Sequence, residues 1–178
     1  TIRGGNANAA SPHYSGGGMY NRDSSPTVFN CIFRGNFATY YGGGMFNFSS
    51  SPILTNCTFV DNSAAIEGGG ISNITYSSPQ LNNCVFQNNS ADYGGAMDNQ
   101  DYSSPILTNC IFWDNSANYG AGIYNEYYAS PALTNCTFWG NSASNAGGGM
   151  YNDNGYPVVI NSIFWGDTPD EIYNRTSS

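Results

Sequence analysis

The sequence is organised around one stretch, Gly42-Gly43-Gly44-Met45-Phe46-Asn47-Phe48-Ser49-Ser50-Ser51-Pro52-Ile53-Leu54-Thr55-Asn56-Cys57-Thr58-Phe59-Val60-Asp61-Asn62-Ser63-Ala64. The glycine cluster that opens it recurs along the chain, at residues 16–18, 42–44, 68–70, 94–95, 120–122 and 147–149. By subtraction of the first residues, the spacing is 26 residues four times and 27 residues once. A fixed period of this length is typical of a solenoid, in which each repeat packs only on its neighbours.

Each repeat contains short patterns that alternate with a period of two, as strands do. In Met45-Phe46-Asn47 the apolar residue and the asparagine share one face of a strand. Cys57 and Phe59 are also two apart and are expected to face the interior, whereas Leu54 lies three residues before Cys57. Either Leu54 points outward or a bend near Asn56 restores the alternation, and we favour the bend.

Three short strands in each repeat of about 26 residues, with no helical periodicity, predict an all-β parallel β-helix (β-solenoid) of about 6.5 rungs. We expect a single solenoid over residues 1–178, with a partial first rung and an irregular loop at 1–15, six repeats at 16–170 and a partial last rung at 171–178. Rungs about 4.8 Å apart would stack equivalent residues into ladders. The predicted ladders are Asn21, Asn47, Asn73, Asn99, Asn125 and Asn152; Cys31, Cys57, Cys84, Cys110 and Cys136; and Phe33, Phe59, Phe86, Phe112, Phe138 and Phe164.

Charge and composition limit the possible partners. The chain has 4 basic and 12 acidic residues, a net charge of −8 and no lysine. Such a surface repels phosphate backbones, so nucleic acid is not an expected partner. No apolar run reaches the length of a membrane span, so we expect no membrane insertion by this segment. Low charge with abundant Asn, Ser, Gly and Tyr favours an extracellular or cell-surface location.

The repeat resembles a known family. A Gly-Gly-[Ala/Ile/Met] element followed by Phe-x-x-Asn is the repeat pair of the polymorphic outer-membrane proteins, and the unit is similar to the right-handed β-helix repeats of bacterial surface proteins. The matching elements here include Gly69-Gly70-Ile71 with residues 86–89, and Gly95-Ala96-Met97 with residues 112–115. The resemblance implies a right-handed solenoid and a surface passenger or adhesin without catalytic residues.

The five cysteines occupy one position in consecutive repeats. Their spacing of about one repeat is unlike the short pairs of a zinc or redox motif. Stacked cysteines would be close enough for disulfides, but their parallel side-chain directions disfavour the bond. We expect buried free thiols that act as small hydrophobic side chains.

Three tryptophans follow the core phenylalanine in successive repeats: Trp113, Trp139 and Trp165. If the phenylalanines face inward, the tryptophans face outward and form an aromatic stripe. Such a stripe could stack on sugar rings or become buried against a neighbouring molecule. Alternatively, the stripe packs under a turn or under a flanking segment.

No catalytic constellation is apparent, and we expect neither a cofactor nor a metal site. Asp61 and Asp114 share a turn position two rungs apart, but aspartate simply suits a turn. His13, the only histidine, lies in the irregular N-terminal segment, where we expect a solvated loop residue. The glycosylation motifs at Asn47 and Asn73 coincide with the predicted interior ladder, so most such sites should be inaccessible.

The two ends of the chain resemble half-repeats without caps. Unpaired ends could stack head to tail through Thr1 and Ile2 of one molecule and Ile172, Tyr173 and Asn174 of the next. The sequence therefore predicts a non-enzymatic extracellular structural solenoid suited to building a fibre. The first alternative is a segment of a cell-surface adhesin that binds a host protein, the matrix or a glycan through its side. The second is a carbohydrate-processing β-helix enzyme. The expected partners are the protein itself, other surface proteins or glycans.

Overall fold

A computed structural model describes residues 1–9 and 14–175, and within these residues the chain forms 25 strands and no helix. Every strand pairing is parallel and joins residues about one repeat apart, such as Met45 with Ile71 and Ile71 with Met97. The predicted all-β solenoid with rungs of about 26 residues is confirmed. His13 and its neighbours at 10–12 lie outside the described residues.

Three long sheets form the sides of the solenoid. The first, called here the Phe sheet, consists of β1 (Ile2–Arg3), β5 (Ile32–Arg34), β9 (Thr58–Val60), β13 (Val85–Gln87), β16 (Ile111–Trp113), β20 (Thr137–Trp139) and β24 (Ile163–Trp165). The second, the Asn sheet, consists of β3 (Met19–Arg22), β7 (Met45–Phe48), β11 (Ile71–Ile74), β14 (Met97–Asn99), β18 (Ile123–Glu126), β22 (Met150–Asp153) and β25 (Ile172–Arg175). The third, the Leu sheet, consists of β4 (Thr27–Phe29), β8 (Ile53–Thr55), β12 (Gln80–Asn82), β15 (Ile106–Thr108), β19 (Ala132–Thr134) and β23 (Val158–Ile160).

A fourth, shorter strand position adds to the three that the sequence predicts in each rung. It comprises β2 (Asn6–Ala7), β6 (Phe37–Ala38), β10 (Ser63–Ala64), β17 (Ser116–Tyr119) and β21 (Ser142–Ala146). Single bridges from Ser63 to Ser90 and from Ser90 to Ser116 connect its two halves.

A bend at asparagine joins the Leu sheet to the Phe sheet, as the sequence favoured. Asn56 has a φ of 53°, in the left-handed region that asparagine tolerates better than most residues. The bend turns both Leu54 and Cys57 into the core, where neither is exposed to solvent. The equivalent asparagines of the other rungs have the same conformation: Asn30, Asn83, Asn109, Asn135 and Asn161.

The core consists of stacked copies of the same side chain. The phenylalanine rings from Phe33 to Phe164 lie with centroids 4.3–5.0 Å apart and planes within 6° of parallel. The cysteines are free thiols, all buried except the half-buried Cys31. The Cys110 Sγ donates to the backbone carbonyl oxygens of Leu81 and Thr108 over 3.7 and 3.5 Å. These thiols therefore fill space in the core.

Two ladders of polar side chains run through the interior. In the first, each asparagine amide from Asn21 to Asn152 donates to the side-chain oxygen of the next rung over 2.7–2.9 Å, and the ladder ends at Asn174. The sequence analysis did not identify the second ladder: Asn36, Asn62, Asn89, Asn115, Asn141 and Asp167. Most of its amides also donate to the backbone carbonyl of a core phenylalanine, as Asn62 does to Phe33 over 2.9 Å. Both ladders satisfy polar groups that water cannot reach.

The glycine column forms the corner between the short fourth strand and the Asn sheet. Gly42 has a φ of +65°, and a Cβ on Gly43 would lie 2.3 Å from the Ser63 carbonyl oxygen. A side chain at either position would therefore need the backbone to move. The sequence predicted a positive φ or a close backbone approach here, and the corner shows both.

We predict that replacing Asn73 with alanine strongly destabilises the solenoid. The substitution removes two buried hydrogen bonds, from Asn47 and to Asn99, and leaves groups on both neighbours without partners. The expected loss is about 2–4 kcal/mol in the free energy of unfolding, measured by urea denaturation. The matched control is Asn118→Ala, which removes an exposed asparagine that donates to Asp92 over 2.9 Å. Equal losses in both variants would show that the interior ladder is not the stabilising element.

Candidate functional site

The tryptophan stripe lies on the outer face of the Phe sheet, as the alternation of side chains predicts. The rings of Trp113 and Trp139 stack with centroids 6.0 Å apart and planes 18° from parallel. Exposure increases along the stripe: Trp113 is half-buried, Trp139 is 46% exposed and Trp165 is 70% exposed. The stripe therefore presents most of its aromatic surface near the C-terminal end of the described chain.

The tryptophans line an open groove of about 470 Å³, called here the Trp groove. Its lining residues are Ile111, Trp113, Thr137, Phe138, Trp139, Ile163 and Trp165. None of them is charged, and the only polar side-chain groups are the Thr137 hydroxyl and the indole N–H groups.

The side chains of the Trp groove are mainly aromatic and aliphatic. They offer aromatic and aliphatic area, which gains free energy when it is removed from water.

A second surface, on the outer face of the Asn sheet, was not identified from the sequence. Aromatic residues occupy most of the column that faces outward: Tyr20, Phe46, Tyr124, Tyr151 and Tyr173. Ser72 and Asp98 interrupt that column. Both are buried, as are Phe46, Tyr124 and Tyr151, whereas Tyr20 and Tyr173 at its two ends are 40% and 41% exposed. The tyrosines Tyr41, Tyr93 and Tyr119 stand along one side of it, with Glu67 between the first two.

Carboxyl groups come together where the aromatic column is interrupted. Asp98 accepts hydrogen bonds from Ser72 Oγ at 3.2 Å and from Gln100 Nε2 at 3.2 and 3.3 Å. Burial, followed by repulsion from Glu67 and Glu126, holds the pKa of Asp98 well above its usual range. Burial and the charge of Glu67 raise the pKa of Glu126 to about 7, and burial also raises the pKa of Glu67.

These three acids belong to different positions of the repeat, which is why the sequence did not reveal the cluster. The sequence analysis considered only acidic residues that recur at one position. Asp98 replaces an aromatic residue within a strand, Glu126 follows a ladder asparagine, and Glu67 stands where other rungs have tyrosine. A column-by-column alignment of the repeats would have placed Asp98 and Glu126 on the outer face of the Asn sheet, but not Glu67, which lies outside the strands at the corner.

The turn acids that the sequence considered have the backbone conformation of a tight turn. Asp61 and Asp114 both have positive φ, at 56° and 53°, as residues of a tight turn often do. Asp61 pairs with Arg34 over 3.3 Å and accepts from Asn88 Nδ2 over 3.4 Å. The asparagines of the two glycosylation motifs, Asn47 and Asn73, lie in the interior ladder and are not exposed.

The residues expected to form an end-to-end contact lie on the terminal rungs. Ile2 of β1 is half-buried against the core, and Thr1 is exposed. At the other end Ile172 and Tyr173 are 39% and 41% exposed, and Asn174 accepts the last bond of the asparagine ladder.

Within the described residues, no group of three or more histidine, cysteine, aspartate or glutamate side chains is arranged to hold a metal ion. A search for membrane spans over the same residues finds no helix long and apolar enough to cross a bilayer.

Comparison with known proteins identifies one family. A family model described as a right-handed β-helix region matches residues 1–138. No curated protein and no solved structure matches the chain.

We predict that stability falls as pH rises from about 4.5 to about 7, the interval between the ordinary pKa of a glutamate and that of Glu126 in the folded protein. In this interval the folded chain keeps protons that the unfolded chain has lost, so the slope of unfolding free energy against pH is negative. Asp167, whose burial raises its pKa to about 7, contributes in the same direction.

The measurement is the thermal midpoint at a series of pH values. Each kcal/mol lost lowers the midpoint by about 2–4 °C for a chain of this size. Glu126→Gln should flatten the dependence, whereas Asp92→Asn, which removes the same charge from an exposed position, should leave it unchanged. A midpoint that rises with pH over this interval would contradict the assignment.

Proposed function

This chain belongs to the family of right-handed β-helix regions, and we propose that it is a non-enzymatic extracellular structural protein that self-associates through the Trp groove. The observation that carries the proposal is the exposed apolar surface around Trp139, Trp165 and Ile163, which are 46%, 70% and 60% exposed. Contiguous exposed apolar surface on a folded protein marks an interaction site.

The composition of the groove favours a protein surface over a glycan. Sugar hydroxyls need hydrogen-bonding partners to replace water, and here Thr137 and the indole N–H groups are the only polar side chains available. The ring faces are also partly covered, because Trp113 and Trp139 stack on each other. An apolar partner would gain binding free energy by burying the whole groove, whereas a sugar bound there would leave many of its hydroxyls without hydrogen-bond partners.

We propose that a second copy of this chain binds in the Trp groove. The molecule carries a net charge of −8, so two copies repel each other over most of their surfaces. The Trp groove is lined by uncharged residues, which makes it a face where copies can approach without opposing like charges. A two-fold contact would set each stripe against its counterpart, so both would be buried at once.

We predict that the double variant Trp139→Ser, Trp165→Ser weakens self-association by at least about tenfold, since exposed tryptophans at interface centres carry much of the binding energy. Sedimentation equilibrium measures the effect. The control is Tyr76→Ser, Tyr102→Ser, which removes two exposed, mutually stacked tyrosines from another side of the rod.

Wild-type protein that stays monomeric at the highest concentration reached would overturn this proposal. Loss of binding to a glycan or a matrix protein in the tryptophan variant, without self-association of the wild type, would favour the adhesin instead. Turnover of a polysaccharide by the purified chain would favour the enzyme.

End-to-end stacking is the second candidate, and the exposed apolar residues of the last rung favour it. Ile172 continues the inward-facing column of Met150, and β24 is the last strand of the Phe sheet within the described residues. Strand β1 is the opposite edge of the same sheet, so a second molecule could extend it in the same direction.

We predict that Ile172→Asp prevents the growth of linear assemblies, because a carboxylate would be buried at each junction. Light scattering and electron microscopy at increasing concentration provide the measurement. The control is Ile53→Asp, which introduces the same charge at an exposed position on the outer face of the Leu sheet. Assemblies of equal length in both variants would reject stacking through this end.

A further inference from the structure

We propose that a cleft on the outer face of the Asn sheet binds a neutral saccharide ring. The cleft encloses about 420 Å³ over the first rungs of the described chain. Aromatic side chains line one part of it, and polar groups line its margins, among them Ser15, Gln100 and Asp101. The proposal is independent of self-association through the Trp groove, since the two sites lie on different sheets.

The aromatic part of the cleft forms an apolar platform. The rings of Tyr20 and Phe46 lie with centroids 5.3 Å apart at 48°, and Tyr41 stacks on Phe46 at 5.7 Å and 20°. Tyr20 is 40% exposed, so part of its ring is open to the cleft. A pyranose ring presents C–H groups on its faces, which pack on aromatic rings, and it carries hydroxyls around its edge.

Ser15 provides the observation that points to a bound ligand. Its side chain lines the cleft, is only 4% exposed, and has a buried hydroxyl without a hydrogen-bond partner among the described residues. An unpaired buried hydroxyl is costly in a folded protein and calls for a partner. A ligand hydroxyl in the cleft could supply that partner.

Other polar groups of the lining can hold the hydroxyls of the ring. The Gln100 amide nitrogen donates to Asp98, which leaves the Gln100 amide oxygen free to accept. Asp101 adds an exposed carboxylate that can accept from ligand hydroxyls. A cleft that combines aromatic side chains with hydrogen-bonding groups has the composition of a small-ligand site.

The charges around the cleft favour a neutral sugar over an acidic one. Arg22, the one basic residue in the lining, lies over the Phe48 ring at 5.2 Å and pairs with Asp23 at 3.7 Å. Asp101 stands at the far margin of the cleft, and the carboxyl groups of Asp98 and Glu67 lie next to Gln100. A sugar carboxylate would meet these acids without a free cation to compensate for them.

The test is isothermal titration of the full chain with neutral tetrasaccharides of glucose, galactose and mannose, and with a galacturonic acid tetrasaccharide as the acidic comparison. We expect at least one neutral tetrasaccharide to bind and the acidic one to bind more weakly or not at all. Tyr20→Ala should weaken binding roughly three- to tenfold, the effect of losing one aromatic contact. Tyr156→Ala, at an exposed tyrosine of a distant rung, should leave the affinity unchanged.

Ser15→Ala separates a ligand contact from a structural role. Because the hydroxyl has no partner among the described residues, its removal should leave the thermal midpoint unchanged or raise it. The same variant should bind the saccharide roughly two- to tenfold more weakly. The Trp139→Ser, Trp165→Ser variant should keep full saccharide affinity, so the two proposals can fail separately.

The proposal is overturned if no neutral tetrasaccharide binds. It is also overturned if Tyr20→Ala and Ser15→Ala both bind as the wild type does, or if the acidic tetrasaccharide binds more tightly than every neutral one.

Discussion

Stacking in register, with each residue lying on its counterpart one rung away, is the constraint on which the rest of this structure depends. The buried asparagine ladder enforces it, because each amide both donates to the next rung and accepts from the previous one. A rung that slipped by one residue would break these bonds and turn the apolar side chains outward. The glycine corner adds a steric condition, because the Cβ of any other residue at Gly43 would collide with backbone oxygens of the next rung.

Turns accommodate the changes in length that this constraint forbids elsewhere. The turn after the Asn sheet has one residue with positive φ in some rungs, such as Ser49, and two in others, such as Thr75 and Tyr76. Where one extra residue enters, the asparagine and phenylalanine ladders remain in register. A solenoid of this type can therefore vary its turns and its outer columns while its interior stays constant.

Function is then confined to the outward-facing columns, and the two surfaces found there differ in chemistry. The Trp groove is apolar and uncharged, which suits contact with another apolar surface. The face of the Asn sheet combines aromatic rings with buried carboxyl groups whose pKa values are raised by desolvation and mutual repulsion. Both surfaces are built from substitutions at variable positions, such as Trp139 at the position of Val60 and Asp98 at the position of Phe46. The scaffold tolerates these substitutions because none of them faces the core.

The sequence alone determined the solenoid, the repeat length, the bend at Asn56 and the identity of the stacked core residues. These features follow from the local sequence pattern, which recurs often enough in one chain to be recognised without a structure. It also placed Trp113, Trp139 and Trp165 on the outer face, because each follows an inward-facing phenylalanine and neighbouring side chains of a strand point to opposite faces.

Only the tertiary structure showed the short fourth strand, the second asparagine ladder and the meeting of Glu67, Asp98 and Glu126. These acids come from three different positions of the repeat, and a cluster across rungs depends on how strands and corners orient side chains in space. The Ser15 hydroxyl, which has no partner among the described residues, could not be anticipated either, because burial without a partner is a property of the packed chain rather than of any short segment.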